Sequence, residues 1–384
     1  MPLKSDAPHF NGCLYSAAPW ASLSGAPICA LEHLVVLRPL FDEVCLVLCE
    51  EGPLQERAQQ LNISSWCSPL QFRGLRKGGL FRFLTGIGPV VRSRWAYVSK
   101  LRRQLKVRPG VLHIHSRATH LPYALLAGRW AGVPVVVTLH EPWEGGLEAL
   151  IDLFWVRLLA TQVVFLSQAM LDQYPRLMRQ TPSVVYNSHP AVPERVSPAR
   201  ERPLVAMAAR MGKAKGSDVF LETCRLLRDR GNVFEAWLAG GWACPQEQAD
   251  AHAFVKEHRL EDVVSVRGAI SDMDSLYLQM EVLLFPSRRD SFPRVVMEAM
   301  SYGIPAVATR VDGIPEMVED GVTGFLVDSG DAPEFARCVE RLLKEDALRK
   351  EMGEAARTRA QACFAPEAYR SAMATVYRKA KGMA

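Results

Sequence analysis

Between Arg57 and His140 the chain has neither aspartate nor glutamate, although fourteen lysines and arginines fall in that stretch. The remainder holds 32 basic against 41 acidic residues, so the overall charge of +5 conceals one strongly basic region in an otherwise acidic protein. Cysteine pairs are missing too. The nine cysteines are odd in number and contain no C-x-x-C. That argues against a disulfide framework and for reduced thiols in a cytoplasmic protein. No segment approaches the roughly 20 apolar residues that span a bilayer. The opening MPLKSDAPHF offers no apolar run for a secretory leader, so none is expected. The 25 prolines are scattered rather than gathered into a low-complexity tract, and no internal repeat is evident.

What is present is the texture of open α/β domains. A chain of 384 residues exceeds the usual single core and predicts two domains. Short apolar runs predict strands at 43–48, 111–114, 134–138, 163–166, 204–208, 235–239, 282–285 and 305–308. Helical patterns lie between them, among them 27–38, 119–131, 217–230 and 292–302. That alternation is the signature of parallel sheets built from βαβ units. At 188–202 the sequence changes to SHPAVPERVSPARER, which reads as a linker separating an N-terminal domain, 1–187, from a second domain, 203–365. A final helix is expected from Pro366 to Lys381.

Residues 285–327, FPSRRDSFPRVVMEAMSYGIPAVATRVDGIPEMVEDGVTGFLV, carry most of the functional signal. An apolar strand ends in a polar turn, and a helix is expected to open near Phe292 or Pro293. Proline suits a first helical turn, where its missing N–H would be unpaired anyway. Such a helix start offers amide donors and the positive end of a dipole, which suit a phosphate. Glu298 would lie about 7–8 Å further along, at about 1.5 Å per residue. Its side chain would lean back toward the same opening. Asp290 sits in the turn before it. A diphosphate at the helix mouth, with one acid for a ribose and one for a sugar, makes a nucleotide-sugar site. The plainer alternative is that Asp290 caps the helix and Glu298 is solvated.

This stretch resembles the acid-x7-Glu element of the retaining two-domain (GT-B) glycosyltransferases, family 4 in particular. Asp290 stands where the family usually has glutamate, and Ser291-Phe292-Pro293-Arg294 replaces a Gly-rich turn. The resemblance implies an α/β fold of two Rossmann-like domains facing across a cleft. The N-terminal domain would take the acceptor and the C-terminal one the donor, with the last helix, 366–384, packing back on the N-terminal domain. It implies retaining transfer of a hexosyl group from a UDP-sugar, or a GDP-sugar, to a lipid-linked, lipopolysaccharide or polysaccharide-precursor acceptor. No metal or other cofactor is expected. Ser291, Phe292, Arg294, Val295 and Glu298 would surround the donor, and Asp290 would serve the transferred sugar.

Other positions match the same resemblance. Arg210 and Lys215 in LVAMAARMGKAKG follow a buried strand, with Gly216 opening the next helix. Two fixed cations there would stabilise the charge gained by a departing nucleoside diphosphate. Gly25, after a Ser/Pro-rich loop with Ser24, would let backbone approach a phosphate. His140, ending PVVVTLH, would contact the transferred sugar or the acceptor, and Ile270 after Gly268-Ala269 would meet the base. His113, His115 and His120 lack a Cys or acid at metal-ligand spacing. Asp272-Met273-Asp274 matches an Asp-x-Asp metal motif, but Ser271-x-x-Asp274 reads more simply as a helix cap.

The basic segment 73–108 interleaves its cations with Phe72, Leu75, Leu80, Phe81, Phe83, Trp95 and Tyr97. That pattern reads as a surface for anionic lipid, making the protein cytoplasmic or peripheral on a membrane. A solvated helix face is the alternative, and no nucleic-acid motif accompanies the charge. Two other activities fit the scaffold: a nucleotide-sugar 2-epimerase, and a non-catalytic nucleotide-sugar-binding subunit.

Overall fold

A computed structural model describes residues 8–18, 20–22, 25–69, 80–116, 122–143, 145–175, 182–190, 192, 200–270 and 272–383. Two compact units emerge. The first comprises 1–166, 170–185 and 369–384, and the second comprises 167–169 and 186–368.

The first unit is a seven-stranded sheet in the order β3-β2-β1-β4-β5-β6-β7. Its strands are β1 (Phe10–Ala18), β2 (Phe41–Leu48), β3 (Ser64–Cys67), β4 (Gly110–Ser116), β5 (Val135–Leu139), β6 (Gln162–Phe165) and β7 (Pro182–Val184). Every pairing is parallel. The helices are α1 (Gly25–Leu37), α2 (Pro53–Gln60), α3 (Leu80–Val107), α4 (Pro122–Ala131), α5 (Leu147–Leu159) and α6 (Gln168–Gln173), whose first two residues count with the second unit. β5, VVVTL, is buried along its whole length because a parallel sheet is covered by helices on both sides.

The second unit is a six-stranded parallel sheet in the order β10-β9-β8-β11-β12-β13. It is built from β8 (Leu204–Ala208), β9 (Glu235–Ala239), β10 (Val264–Arg267), β11 (Met280–Phe285), β12 (Ala306–Thr309) and β13 (Gly324–Val327). Its helices are α7 (Ser217–Asp229), α8 (Pro245–Glu257), α9 (Met273–Gln279), α10 (Arg294–Ser301), α11 (Ile314–Met317), α12 (Ala332–Lys344) and α13 (Asp346–Cys363). Val205, Met207, Leu238, Val282, Leu284 and Val307 from the strands meet Phe220 and Phe335 from the helices in one core.

The chain ends in α14 (Pro366–Ala380). From Tyr369 onward it belongs to the first unit, where Met373, Val376 and Tyr377 pack in the core with Phe10 and Phe41. Tyr377 sits edge-on to both phenylalanines at 6.0 and 5.3 Å, the geometry aromatic quadrupoles favour.

The basic segment needs one correction. Tyr97 is no surface anchor: it is buried, as are Leu101 and Leu105 on the same face of α3. Trp95 is exposed. Phe72 and Leu75, and the side chains of Leu80, Phe81 and Phe83, lie outside the described residues.

Candidate functional site

In the second sheet the strand order reverses between β8 and β11. Open α/β sheets take ligands at such a switch point, outside the carboxyl ends of the strands. The two loops leaving these strands, 209–216 and 286–293, hold Arg210, Lys215, Asp290 and Ser291. The loops are stitched together. Arg288 N–H donates to the Ala214 carbonyl at 3.0 Å, and its guanidinium forks onto Asp218 at 2.7 and 2.8 Å. Gly216, at the N-cap of α7, adopts φ +80°, and a Cβ there would lie 2.0 Å from the Pro286 carbonyl oxygen. Only glycine permits that approach.

Within this frame Lys215 Nζ meets Asp290 Oδ2 at 2.6 Å. The Asp290 amide donates to Asp312 Oδ2 at 2.9 Å, and the Asp290 carboxylate accepts the Phe292 amide. Burial pushes the Asp290 carboxyl above its ordinary range, against the pull of Lys215. Arg210 is exposed and forms no ion pair among the described residues. Lys213 is also exposed. Asp290 does not cap α10, because Pro293 occupies the cap position without any side-chain cap.

The helix starts later than the sequence suggests. It opens at Arg294, since Pro293, with ψ 119°, is extended rather than helical. Phe292 is also corrected as a donor contact. Its ring is 4% exposed and stacks on Tyr186 at 5.1 Å, with Phe364 edge-on at 5.5 Å. Its amide is committed to Asp290, so neither group is available to a ligand. Ser291 differs. It is 3% exposed, and its hydroxyl has no hydrogen-bond partner among the described residues. A buried, unsatisfied hydroxyl beside the acid–lysine pair is costly unless something fills the place.

Glu298 is buried rather than solvated. Its Oε2 accepts the Tyr277 hydroxyl at 2.6 Å, and its Oε1 accepts Arg294 Nη2 at 2.9 Å. Burial alone would raise this carboxyl, yet Arg294 and Tyr277 hold it below the ordinary glutamate range. Arg294 is thus turned along its own helix toward Glu298, with Val295 half-buried beside it. Ile270 is half-buried in the loop between β10 and α9, after exposed Gly268 and Ala269. The cap of α9 is Asp272, which accepts the Ser275 amide at 3.1 Å, while Asp274 accepts the Tyr302 hydroxyl at 2.7 Å. Both acids of the Asp-x-Asp are therefore used in packing, and the expected cap lies one residue later than Ser271, itself outside the described residues.

In the first sheet the order reverses between β1 and β4, and there four histidines gather. His113 on β4 contacts the Tyr377 hydroxyl at 2.9 Å and Thr138 Oγ1 at 2.8 Å. His115 Nδ1 meets His140 Nε2 at 3.1 Å. The His113 and His115 rings lie 4.1 Å apart, and His33 on α1 is 5.4 Å from His115 and stacked on Tyr369. Burial depresses the basicity of His113, His115 and His140, holding His113 at about 3 and His140 at about 4. These three imidazoles are neutral at pH 7, and half-buried His140 is the most accessible of them. His120 lies outside the described residues. Gly25 heads α1 with φ +54°, and nothing lies within 4 Å of the place of a Cβ.

Sequence reasoning missed Tyr277, Asp312 and His33. Asp312-Gly313 stands in the quoted 285–327 stretch and could have been noticed, being an acid before a turn. Tyr277, 21 residues from Glu298, and Tyr377, 264 from His113, meet their partners only through the tertiary fold.

Two protein families match the chain: Glycosyltransferase Family 4 over residues 18–189, and Glycosyl transferases group 1 over residues 188–359. The alpha-D-kanosaminyltransferase of Streptomyces kanamyceticus is 32% identical over 182 residues, which are 47% of this chain and 46% of that one. The D-inositol 3-phosphate glycosyltransferase of Corynebacterium aurimucosum is 36% identical over 163 residues, 41% of this chain and 39% of that one. These matches span less than half the length of either relative. The crystal structure of Anabaena HepE in complex with UDP and glucose superposes with a TM-score of 0.79 at 19% identity, covering 95% of this chain and 98% of that one. Sheet orders, switch-point loops and matched families agree: the chain belongs to the family 4 (group 1) glycosyltransferases and has the GT-B fold of two parallel-sheet, Rossmann-like domains.

Proposed function

We propose that this protein transfers a hexosyl group, with retention, from a UDP-sugar to a hydroxyl of a lipid-linked or polysaccharide-precursor acceptor. The observation that carries the reading is the Lys215–Asp290 contact of 2.6 Å at the β8–β11 switch point, with Glu298 held by Arg294 and Tyr277 on the adjoining helix. Support for a uridine nucleotide comes from HepE, whose structure contains UDP and glucose.

In this reading Glu298 accepts ribose hydroxyls, and the α10 amino end with the Ser291 hydroxyl faces the diphosphate. Ile270 lies against the base. Asp290, oriented by Lys215, accepts hydroxyls of the sugar, which His140 also contacts. Gly25 lets the backbone at the start of α1 approach a phosphate. As the bond from the anomeric carbon to the β-phosphate oxygen breaks, UDP gains negative charge. Lys215 and Arg210 stabilise that charge more in the transition state than in the ground state. The acceptor oxygen forms the new bond on the face the phosphate leaves, and its proton passes to the departing phosphate oxygen. Because two side-chain cations meet the leaving group, the proposal includes independence from divalent metal.

The test is incubation with a panel of UDP- and GDP-sugars and simple glycoside acceptors, following UDP release and the anomeric configuration of the product. UDP release with an α-linked product from an α-linked donor is expected. Deuterium exchange at C2 without transfer would replace the reading with epimerisation. Nucleotide binding, read by thermal shift, without release in any mixture would leave only a binding subunit.

A further inference from the structure

Helix α5 exposes Leu147 (74%), Leu150 (50%), Ile151 (49%), Phe154 (56%) and Leu158 (58%). At about 100° per residue these five fall within an arc of about 100°, one apolar stripe. The opposite face is the one that packs, for Leu153, Val156 and Asp152 are buried. Other exposed large apolar residues, such as Val233 and Val322, occur singly, which is ordinary for a protein surface. A stripe of five is not.

Helix α4 packs against both α3 and α5, so the three form one layer. On that layer Trp95 of α3 and Trp130 of α4 stack at 5.6 Å, and both are about half exposed. Arg102 reaches across to the Trp130 carbonyl at 3.3 Å. Lys100, Arg103, Lys106 and Arg129 are exposed nearby, and neither α3 nor α4 contains an acid. Among the described residues no helix is long and apolar enough to cross a membrane.

We infer that the α3–α4–α5 layer docks on an anionic lipid bilayer, with the α5 stripe and the tryptophan pair entering the headgroup region. Charge selects this occupant. A second copy joined through the same face would bring like charges together, whereas anionic headgroups complement the cations while their acyl boundary takes the aliphatic side chains. Tryptophan favours that depth, its ring apolar and its N–H wet. The inference deepens the lipid-linked acceptor reading, but its test contains neither donor nor acceptor, so either can fail alone.

The experiment is co-sedimentation with phosphatidylcholine vesicles, with and without phosphatidylglycerol, across a salt series. Binding to the anionic vesicles and its loss at high salt are expected, since screening shortens the reach of charge. Arg102→Glu, Arg103→Glu and Lys106→Glu together should lower affinity at least about 100-fold. Phe154→Ser with Leu158→Ser should lower it at least about tenfold. All five positions are exposed, so UDP-induced thermal shifts should be unchanged and would certify the fold. Equal, negligible binding of the wild type to both vesicle types would overturn the inference. So would a concentration-dependent dimer abolished by Phe154→Ser with Leu158→Ser, which would show that a second copy covers the stripe.

Discussion

The two sheets treat buried polar groups in opposite ways at equivalent places, the switch points where their strand orders reverse. In the second unit carboxylates are set against cations, as in Asp290 with Lys215 and Glu298 with Arg294. In the first they are imidazoles: His113, His115 and His140 are neutral and meet hydroxyls or one another. A half-buried carboxylate–cation pair is less screened than one in water and presents charge to whatever enters. A buried neutral imidazole can donate and accept yet adds no net charge. The proposed function would use each: charge toward a diphosphate in the second unit, neutral donors and acceptors toward uncharged hydroxyls in the first.

Removing a charge from the second unit should therefore cost most. Lys215→Ala should lower turnover at least about 100-fold, the range for losing a preorganised group at a developing charge. It should also leave Asp290 buried without its cation. Arg210→Ala should fall in the same range, with both variants measured by steady-state UDP release. Full activity in Lys215→Ala would break the comparison at its charged end. Activity abolished by a chelator and restored by a divalent cation would transfer the role of the two cations to a metal.

The neutral unit should instead be sensitive to acid. His113 titrates near 6.5 when unfolded and at about 3 when folded. Between those values the unfolded chain holds the extra proton, so stability rises with pH. The contribution is complete above about pH 6.5 and drains away as pH falls toward 3. At pH 5 the loss from His113 alone is about 2 kcal/mol. Hydrogen exchange should show protection of β4 and α14 falling between pH 7 and pH 5 more steeply than that of β8 and β11. Parallel losses in both units would contradict a neutral cluster.

How far each unit could be read from sequence follows the same division. In the second unit β8 and β9 fall on the expected residues, because LVAMA and EAWLA are short apolar runs with polar boundaries. Asp290 and Glu298 could be paired from sequence because both lie within one loop-and-helix segment. In the first unit β1 escaped notice, as Asn11-Gly12 and Ser16 interrupt FNGCLYSAA, and β7 is only three residues long. The histidine cluster draws on α1, β4 and the loop after β5, so no local pattern contains it. Phe292 misled for a related reason: its place beside the acid suggested a ligand contact, but Tyr186 and Phe364, distant in sequence, claim its ring.

Glu298→Gln sharpens the charged side of the comparison by keeping shape while removing charge. It weakens the contact with Arg294 and the proposed acceptance of ribose hydroxyls, so UDP affinity should drop about 15-fold, the low end of the 1.5–3 kcal/mol of hydrogen bonds to a charged group. Isothermal titration with free UDP measures it directly. An unchanged affinity in a folded variant would remove Glu298 from nucleotide binding and leave it a packing residue. Tyr277→Phe should give a smaller loss, since Arg294 still holds the carboxylate.

The smallest effect is expected where both partners are neutral. His115 Nδ1 and His140 Nε2, 3.1 Å apart, can share only one proton while both imidazoles are uncharged. Whichever nitrogen carries it, the contact fixes the His140 tautomer and with it the hydrogen bond that the other nitrogen can offer a sugar hydroxyl. His115→Phe keeps a ring in the stack with His113 but frees His140 to change tautomer. A neutral hydrogen bond is worth about 1 kcal/mol, so kcat should fall about fivefold. Binding of free UDP, which lacks the transferred sugar that His140 is proposed to meet, should be unchanged. His115→Gln, whose amide can still reach toward His140, should recover part of the loss. If UDP affinity and kcat fell together in His115→Phe, the variant would be reporting damage to the sheet, and His140 would need no positioning partner.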